Sequence, residues 1–262
     1  MRIVVKIGTA TLAHPSGRLN IRLIEEFVKV LSDLKNAGHE IILVSSGAIG
    51  LGVGKLNLME KPSDIPTKQA AAAVGQCELM YEYDQLFSRH NHTIAQILLT
   101  GDDVKHEDRR QNFHNTMTRL LELGVLPVIN ENDTVVTHEI KVGDNDTLAA
   151  IVAVNVDADL LILLSDIDGL YTGDPHRDPN AELITRVDKI GPTIRAIAGD
   201  SNSKQGTGGM ITKIHAAEMV MEAGCDMIIM NGNRPEALYD VVEGKSVGTF
   251  FAKKALPSGQ MD

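Results

Sequence analysis

The stretch Glu40–Gly52, which reads Glu-Ile-Ile-Leu-Val-Ser-Ser-Gly-Ala-Ile-Gly-Leu-Gly, decides the fold. Glu40–Val44 is almost continuously apolar, which is typical of a strand that is covered on both faces of a sheet. From Ser45 onward, small residues and glycines leave backbone N–H groups free to cradle a carboxylate or a phosphate. We interpret the stretch as a buried parallel strand that runs into a glycine-rich loop.

The same pattern of a short apolar run followed by a helical segment recurs along the chain, which predicts βαβ units and an α/β fold around a mostly parallel sheet. Gly38, Gly124 and Gly224 each follow a helical run and precede a strand, the expected place for a C-cap glycine. The predicted strands are Ile3–Lys6, Glu40–Val44, Thr93–Leu99, Val125–Ile129, Leu160–Leu164 and Met227–Met230. The predicted helices are Ile21–Ala37, Thr67–His90, Glu107–Leu123, Thr147–Val154, Met210–Ala223 and Pro235–Glu243.

Composition narrows the class of protein. Hydrophobic residues make up 43% and charged residues 23% of the chain, as in ordinary globular proteins. The formal net charge of −10 argues against nucleic-acid and anionic-membrane partners, and the apolar stretches are too short to span a bilayer. The two cysteines, Cys77 and Cys225, predict buried thiols in a reducing compartment. The stretch Met1–Lys6 meets a charge before the apolar core of a signal peptide could form. We therefore expect a cytoplasmic protein.

The first strand ends in Lys6, followed by Gly8. Because ligands gather at the carboxyl ends of strands in open α/β sheets, this lysine is a candidate fixed cation that faces the ligand crevice. A surface lysine on an edge strand is an equally good interpretation of this segment taken alone.

Two polar clusters flank a short segment in the middle of the chain. Ile129–Asp133 ends a predicted strand, and Gly143–Thr147 begins the next helix. Between them, Thr134–Val142 has the pattern of an antiparallel ribbon, an insertion of the kind that often builds a substrate pocket. Carboxylates and amides this close together suit an amino-acid ligand, although turn and N-cap chemistry would explain one such cluster. Two clusters favour a binding site.

The C-terminal half holds two further candidate segments. Leu163–Tyr171 follows a strand with Ser165 and Asp166, and Gly206–Lys213 runs glycines into a strong helical pattern. Free amides and the helix dipole at such a start attract a phosphate, and Lys213 lies on the first turn, placed to reach the same anion. A flexible loop is the competing interpretation of the glycines, and the lysine argues against it. No Walker loop, dinucleotide fingerprint, EF-hand or zinc pattern occurs.

Taken together, these segments resemble the amino acid kinase family, from Val4 to about Phe251. The strings Asn130–Asp133 and Gly143–Asp146 are most similar to the members that phosphorylate glutamate. The other specific strings are Ser46–Ile49, Pro127–Ile129, Gly169–Thr172, Ala198–Ser201 and Gly206–Lys213. The resemblance implies a three-layer α/β/α sandwich with an amino-acid-binding lobe in residues 1–150 and a nucleotide-binding lobe in residues 151–262, on one continuous sheet.

The resemblance also implies the residues of the site. Lys6, Asp146 and Lys213 would surround the transferring phosphoryl group. No direct protein ligand for a metal is expected, Asp146 being the one candidate, so magnesium would be held mainly by oxygens of ATP. The residues that would bind glutamate are Ser46, Asp133, Asp144 and Asn145. Those that would bind ATP are Lys6, Ser165, Asp166, Thr207, Gly208, Gly209, Met210, Ile211, Thr212 and Lys213.

The implied reaction is ATP-dependent phosphorylation of the side-chain carboxylate of L-glutamate, the first step toward proline, in a homo-oligomer that proline inhibits. Many such kinases continue into a C-terminal PUA module, which we expect this chain to lack. Two alternatives stay open: a related kinase for aspartate, acetylglutamate or carbamate, and a non-catalytic nucleotide or amino-acid sensor on the same fold. The complete set of Lys6, Asp146 and Lys213 argues against the sensor.

Overall fold

The structure is a computed structural model that describes residues 1–14, 16, 18–60, 62–136, 144–175, 177–200 and 209–254. Strands and helices alternate along the chain, as the sequence predicts. The strands are β1 (Arg2–Ile7), β2 (Glu40–Ser45), β3 (Ile94–Leu99), β4 (Leu126–Glu131), β5 (Leu160–Ser165), β6 (Arg186–Val187), β7 (Asp226–Asn231) and β8 (Thr249–Phe251). The helices are α1 (Thr9–Leu12), α2 (Ile21–Asn36), α3 (Ala48–Lys55), α4 (Ile65–Ser88), α5 (Gly101–Lys105), α6 (Glu107–Glu122), α7 (Asn145–Asn155), α8 (Pro192–Asp200), α9 (Met210–Glu222) and α10 (Ala237–Val242).

The strands form one sheet in the order β3-β4-β2-β1-β5-β7-β8-β6. Neighbouring strands from β3 to β7 are parallel, and β8 runs antiparallel to β7. From β1 the chain builds the sheet outward on one side through β2 and later on the other side through β5. The carboxyl edge beside β1 is therefore a topological switch point, the place where open α/β sheets bind their ligands.

Helices cover both faces of the sheet. Side chains of β1 alternate between the faces, as the two-residue period of a strand requires. Val4 packs with residues of α6, α7 and α9, whereas Ile3 and Val5 pack with residues of α2, α4 and α10. Burial on both faces explains the nearly continuous apolar strands, and the three-layer α/β/α prediction is confirmed.

The predicted elements agree with the observed ones. All six predicted strands and all six predicted helices are present, with ends that differ by a residue or two. Gly38, Gly124 and Gly224 have φ values of 94, 71 and 85°. These values lie in the left-handed region that glycine adopts readily after a helix end, so the predicted C-cap role is confirmed.

The glycine-rich stretch after β2 is not the loop that its composition predicts, because Ala48–Lys55 forms α3. The physical reason is the packing of α3 on α4. A Cβ atom on Gly52 would lie 1.8 Å from the carbonyl oxygen of Ala71, and one on Gly75 would lie 1.7 Å from that of Ala48. The two helices therefore touch backbone to backbone, and this contact outweighs the helix penalty of glycine, about 1 kcal/mol per residue.

The two cysteines lie in different environments. Cys225 is buried, as predicted, and burial together with the nearby charge of Asp226 raises the pKa of its thiol to about 12. Cys77 is exposed on α4, so the prediction that both thiols are buried is wrong. Its position explains the difference, because Cys77 follows the buried Gln76 and points away from the face of α4 that covers the sheet.

Two expectations concern single segments. The predicted ribbon Thr134–Val142 lies mostly outside the described residues, and its first residues, Thr134 and Val135, form a turn. Within the described ranges, no helix combines the length and the hydropathy needed to cross a membrane.

Candidate active site

Polar residues replace apolar ones where the parallel strands end. Strands β2, β4 and β5 finish in the buried residues Ser45, Asn130–Glu131 and Ser165. Strand register places the ends of β2, β1 and β5 side by side, since Ile7 is paired with both Ser45 and Leu164. The carboxyl edge of the sheet therefore presents buried polar groups directly above an apolar core.

Two lysines and one aspartate meet at this edge, and we call Lys6, Asp146 and Lys213 the charged centre. Lys6 Nζ lies 2.7 Å from Asp146 Oδ1, and Lys213 Nζ lies 2.9 Å from Asp146 Oδ2. The side chains of Lys6, Lys213 and Asp146 are only 10%, 8% and 1% exposed. Two ammonium groups and one carboxylate leave a net positive charge, and burial weakens its screening by water. Such a centre attracts an anion.

Three separate elements supply the charged centre. Lys6 is the next-to-last residue of β1, two positions after Val4, so it faces α7 and α9. Asp146 lies on the first turn of α7, and Lys213 lies on the first turn of α9. These three residues are far apart in the sequence, and the fold brings them into contact.

Ionisation of Asp146 is maintained by the lysines. Burial alone would raise the pKa of its carboxyl group, but the charges and hydrogen bonds of Lys6 and Lys213 outweigh burial and lower the pKa below its ordinary value. Asp146 is therefore a carboxylate at neutral pH and holds the two ammonium groups on opposite oxygens.

Asp144 has a structural task at the start of α7. Its Oδ1 accepts hydrogen bonds from the backbone N–H groups of Asp146, at 2.7 Å, and Thr147, at 2.9 Å. Asp144 is thus the N-cap of α7, a role that satisfies otherwise unpaired helix donors. The carboxylate that we expected beside glutamate fixes the backbone that carries Asp146.

A neutral group of side chains adjoins the charged centre, and we call Gln76, Asn130, Asn145 and Ser46 the amide cluster. Asn145 Nδ2 donates to Ser46 Oγ at 2.6 Å and to Asn130 Oδ1 at 3.1 Å. Asn130 Nδ2 in turn donates to Gln76 Oε1 at 2.9 Å. The cluster joins α4, β4, α7 and the residue after β2. Two predicted glutamate ligands, Ser46 and Asn145, are therefore in direct contact.

Asp133, the remaining predicted glutamate ligand, lies in the turn that follows β4. It is half-buried, three residues beyond Asn130 of the amide cluster. A carboxylate at this place on the edge suits a ligand ammonium group.

The start of α9 has the features expected of a phosphate site. Its N-cap, Gly209, has no side chain with which to cap the helix. Thr212 Oγ1 lies within hydrogen-bond distance of Asp146 Oδ2, at 3.1 Å, and donates to the Gly209 carbonyl at 2.8 Å. Ile211 is largely exposed and Met210 is buried. Helix starts of this kind bind anions through backbone N–H groups and the helix dipole.

The other predicted nucleotide ligands divide into two groups. Ser165 Oγ donates to Asp166 Oδ1 at 3.1 Å at the end of β5, next to the end of β1. Thr207 and Gly208 lie outside the described residues.

Direct metal ligands are not apparent in the described part of the chain. No group of three or more His, Cys, Asp or Glu side chains there could hold an ion. The oxygens of Asp146, the one candidate, face the ammonium groups of Lys6 and Lys213. These residues do not fit a metal site. The Asp146 carboxylate instead orients the two lysines.

Sequence reasoning missed the buried side chains of α4 that support the edge. Besides Gln76, Tyr83 is fully buried and its hydroxyl lies 2.9 Å from Ser45 Oγ. The signal was the spacing of Gln76, Leu79 and Tyr83, which places all three on one helical face. That face is covered by the sheet.

The fold and the site define the class of this protein. The sequence profile of the Amino acid kinase family matches residues 1–231. The chain belongs to this family.

Close relatives are similar over nearly their whole length. Glutamate 5-kinase of Clostridium tetani is 56% identical over 249 residues, which cover 95% of this chain and 93% of the relative. Glutamate 5-kinase of Clostridium acetobutylicum is 51% identical over 253 residues, which cover 97% and 95%. The isopentenyl phosphate kinase of T. acidophilum has a similar structure, with a TM-score of 0.66 at 19% identity, over 96% of this chain and all (100%) of that one. This last likeness supports the fold alone.

Proposed function

We propose that the protein transfers the γ-phosphoryl group of ATP to the side-chain carboxylate of L-glutamate and forms L-glutamate 5-phosphate, the first intermediate toward proline. The observation that carries the proposal is the charged centre, which lies between the amide cluster and the start of α9. The high identity to glutamate 5-kinases over almost the whole chain supports glutamate as the acceptor.

The reaction needs no general base. A side-chain carboxylate is ionised at neutral pH, so one of its oxygens can attack the γ-phosphorus directly. The bond that forms joins this oxygen to phosphorus, and the bond that breaks joins phosphorus to the β–γ bridging oxygen, which leaves with ADP. Catalysis then depends on alignment and on charge stabilisation, as in other phosphoryl transfers.

The two lysines have complementary tasks in this proposal. Lys6 approaches from β1 and Lys213 from α9, so they can contact the transferring group from two sides. Their ammonium groups would neutralise charge on the transferring and leaving oxygens, and Asp146 would keep them in place. Donors fixed before the reaction stabilise charge without reorganisation.

We further propose that glutamate binds to residues 1–150 and ATP to residues 151–262. The boundary falls inside α7, so both lobes share that helix and one sheet. Ser46, Asp133 and Asn145 would bind glutamate, and the α9 start with Ser165 and Asp166 would bind ATP. Magnesium would be bound mainly by the nucleotide phosphates, as is usual for this ion in phosphoryl-transfer sites.

One assay tests the function and its alternatives. The purified chain is mixed with ATP, magnesium and either L-glutamate, L-aspartate, N-acetyl-L-glutamate or carbamate. ADP release is followed, and hydroxylamine traps any acyl phosphate as a hydroxamate. We expect glutamate-dependent ADP and an equal amount of hydroxamate. Turnover with another acid alone would contradict the proposal, and ATP binding without turnover would favour a sensor.

The same preparation tests the finer proposals. Proline added to the assay should lower the rate, more strongly at low glutamate. The mass in solution should correspond to a homo-oligomer. We propose the cytoplasm as the compartment, because both cysteines are unpaired thiols, as is usual in reducing environments.

A further inference from the structure

Gln76 has an unusual location for a glutamine. It lies on α4, it is only 7% exposed, and the face it shares with Leu79 and Tyr83 is buried against the sheet. Burying an amide costs free energy unless its polar atoms are paired. The Oε1 atom of Gln76 is paired with Nδ2 of Asn130, at 2.9 Å.

This contact is one of three that orient the Asn130 amide. Since Asn130 Nδ2 faces Gln76, its Oδ1 faces the opposite way, where it accepts from Glu131 N at 2.8 Å and from Asn145 Nδ2 at 3.1 Å. If the Asn130 amide were turned over, donors would face donors at Asn145 and Glu131, and acceptors would face each other at Gln76. The three partners therefore favour one orientation.

The orientation of Asn130 sets the polarity of the next two groups. Asn145 directs its NH2 group toward Asn130 and Ser46, so its Oδ1 lies on the other side of the amide as an acceptor. Ser46 Oγ accepts from Asn145 at 2.6 Å, which leaves the hydroxyl hydrogen of Ser46 to donate elsewhere. An acceptor beside a donor matches an amino acid, whose ammonium group donates and whose carboxylate accepts.

We propose that Gln76 is a positioning residue that fixes the hydrogen-bond polarity of the amide cluster, and thereby the affinity for the amino-acid substrate. The inference rests on the proposed function, and it assigns Gln76 no contact with the substrate. Its effect passes through Asn130 and Asn145 to Ser46. It should therefore change the binding of the acceptor acid and leave the charged centre intact.

The test compares steady-state kinetics of the wild type with Gln76→Met, which keeps the bulk and removes the acceptor. We expect KM for glutamate to rise roughly tenfold, the size of one lost buried hydrogen bond. We expect kcat and KM for ATP to stay within about twofold. The lost interaction stabilises bound glutamate equally in the ground state and in the transition state, so its loss does not change kcat.

Phe87→Leu is the matched control, since Phe87 is fully buried on the same helix and lies outside the amide cluster. It should lower the unfolding temperature without changing KM for glutamate. An equal rise in KM for Phe87→Leu would mean that general destabilisation, and not polarity, explains the result. An unchanged KM in Gln76→Met would also overturn the inference.

Two further arms keep the test decisive. If Gln76→Met does not fold, Gln76→Ala removes the acceptor with a smaller side chain and carries the same expectation. If the wild type phosphorylates a different acid, the proposed function fails, and the KM split for Gln76 is measured with that acid instead. The two failures are therefore distinguishable.

Discussion

Two neighbouring residues of α7 belong to opposite parts of the site. Asp146 holds the charged centre, in which each buried charge has a charged partner, whereas Asn145 belongs to the amide cluster, which has no charge. Fixed charges act most strongly where charge develops, and neutral hydrogen-bonding groups discriminate between ground-state ligands by shape and polarity. We therefore propose that the charged centre governs kcat and that the amide cluster governs KM for the acceptor.

The strongest test of this division removes one ammonium group. We expect Lys6→Met and Lys213→Met each to lower kcat by about 10²–10³, because each loses a preorganised donor to the transferring group. KM for glutamate should change little. Lys245→Met is the control, since Lys245 forms ion pairs with Asp240 and Glu243 and is 60% exposed. Near-normal turnover in either site variant would show that the replaced lysine does not stabilise the transferring phosphoryl group.

The second test concerns the recognition of the substrate ammonium group. Asp133→Asn keeps the shape of the side chain and removes its charge. KM for glutamate should rise roughly tenfold to a hundredfold, which is the usual range for hydrogen bonds to charged groups, while kcat at saturation changes little. A collapsed kcat with an unchanged KM would instead assign Asp133 to the charged half of the site.

A third test uses pH and the stability of the fold. The folded-state pKa of Asp146 is lowered, so its ionised form stabilises the folded protein above the unfolded-state pKa of about 3.9. This contribution is lost as pH falls through the folded-state pKa. The difference in free energy of unfolding between the wild type and Asp146→Asn should therefore narrow below about pH 5, by less than about 1 kcal/mol at pH 3.5. Urea unfolding at several pH values measures it, and a difference that widens on acidification would contradict the assigned direction.

The smallest effect is expected for a surface ion pair. Arg119 lies 2.8 Å from Glu122 on α6, and both side chains are more than half exposed (67% and 55%). Arg119→Ala should change the free energy of unfolding by less than about 0.5 kcal/mol, because water and salt screen exposed pairs. Denaturant unfolding measures this change. A loss of several kcal/mol would show that this exposed pair stabilises the fold as strongly as a buried ion pair would.

The pattern of apolar residues was enough to predict six strands and the long helices, because strands such as β1, β2 and β5 are buried on both faces and contain little else than apolar residues. It did not predict the short strands β6 and β8. It failed for α3, whose glycines argue against a helix. The reason is the contact of Gly52 with Ala71 of α4, which is far away in sequence and carries no local signal.

The site was predictable to a similar extent. Lys6 and Lys213 were candidates because Lys6 ends a predicted strand and Lys213 begins a predicted helix, whereas their grouping with Asp146 came from the resemblance to the amino acid kinase family. The pairing of both lysines with one carboxylate required tertiary contacts between three elements. Gln76 was overlooked because a glutamine within a helix is ordinarily exposed, and only the location of Asn130 on β4 reveals its partner.

The backbone contact between α3 and α4 has a consequence for related sequences. Gly75 precedes Gln76 directly, and its contact with Ala48 sets the distance between the two helices. A relative with a larger residue at position 75 must hold α4 further from α3, so the side chain at position 76 would meet Asn130 from a different distance. Positions 52, 75 and 76 should therefore vary together, with glycines conserved wherever a glutamine follows. A set of aligned relatives in which these positions change independently would show that helix spacing and amide orientation are uncoupled.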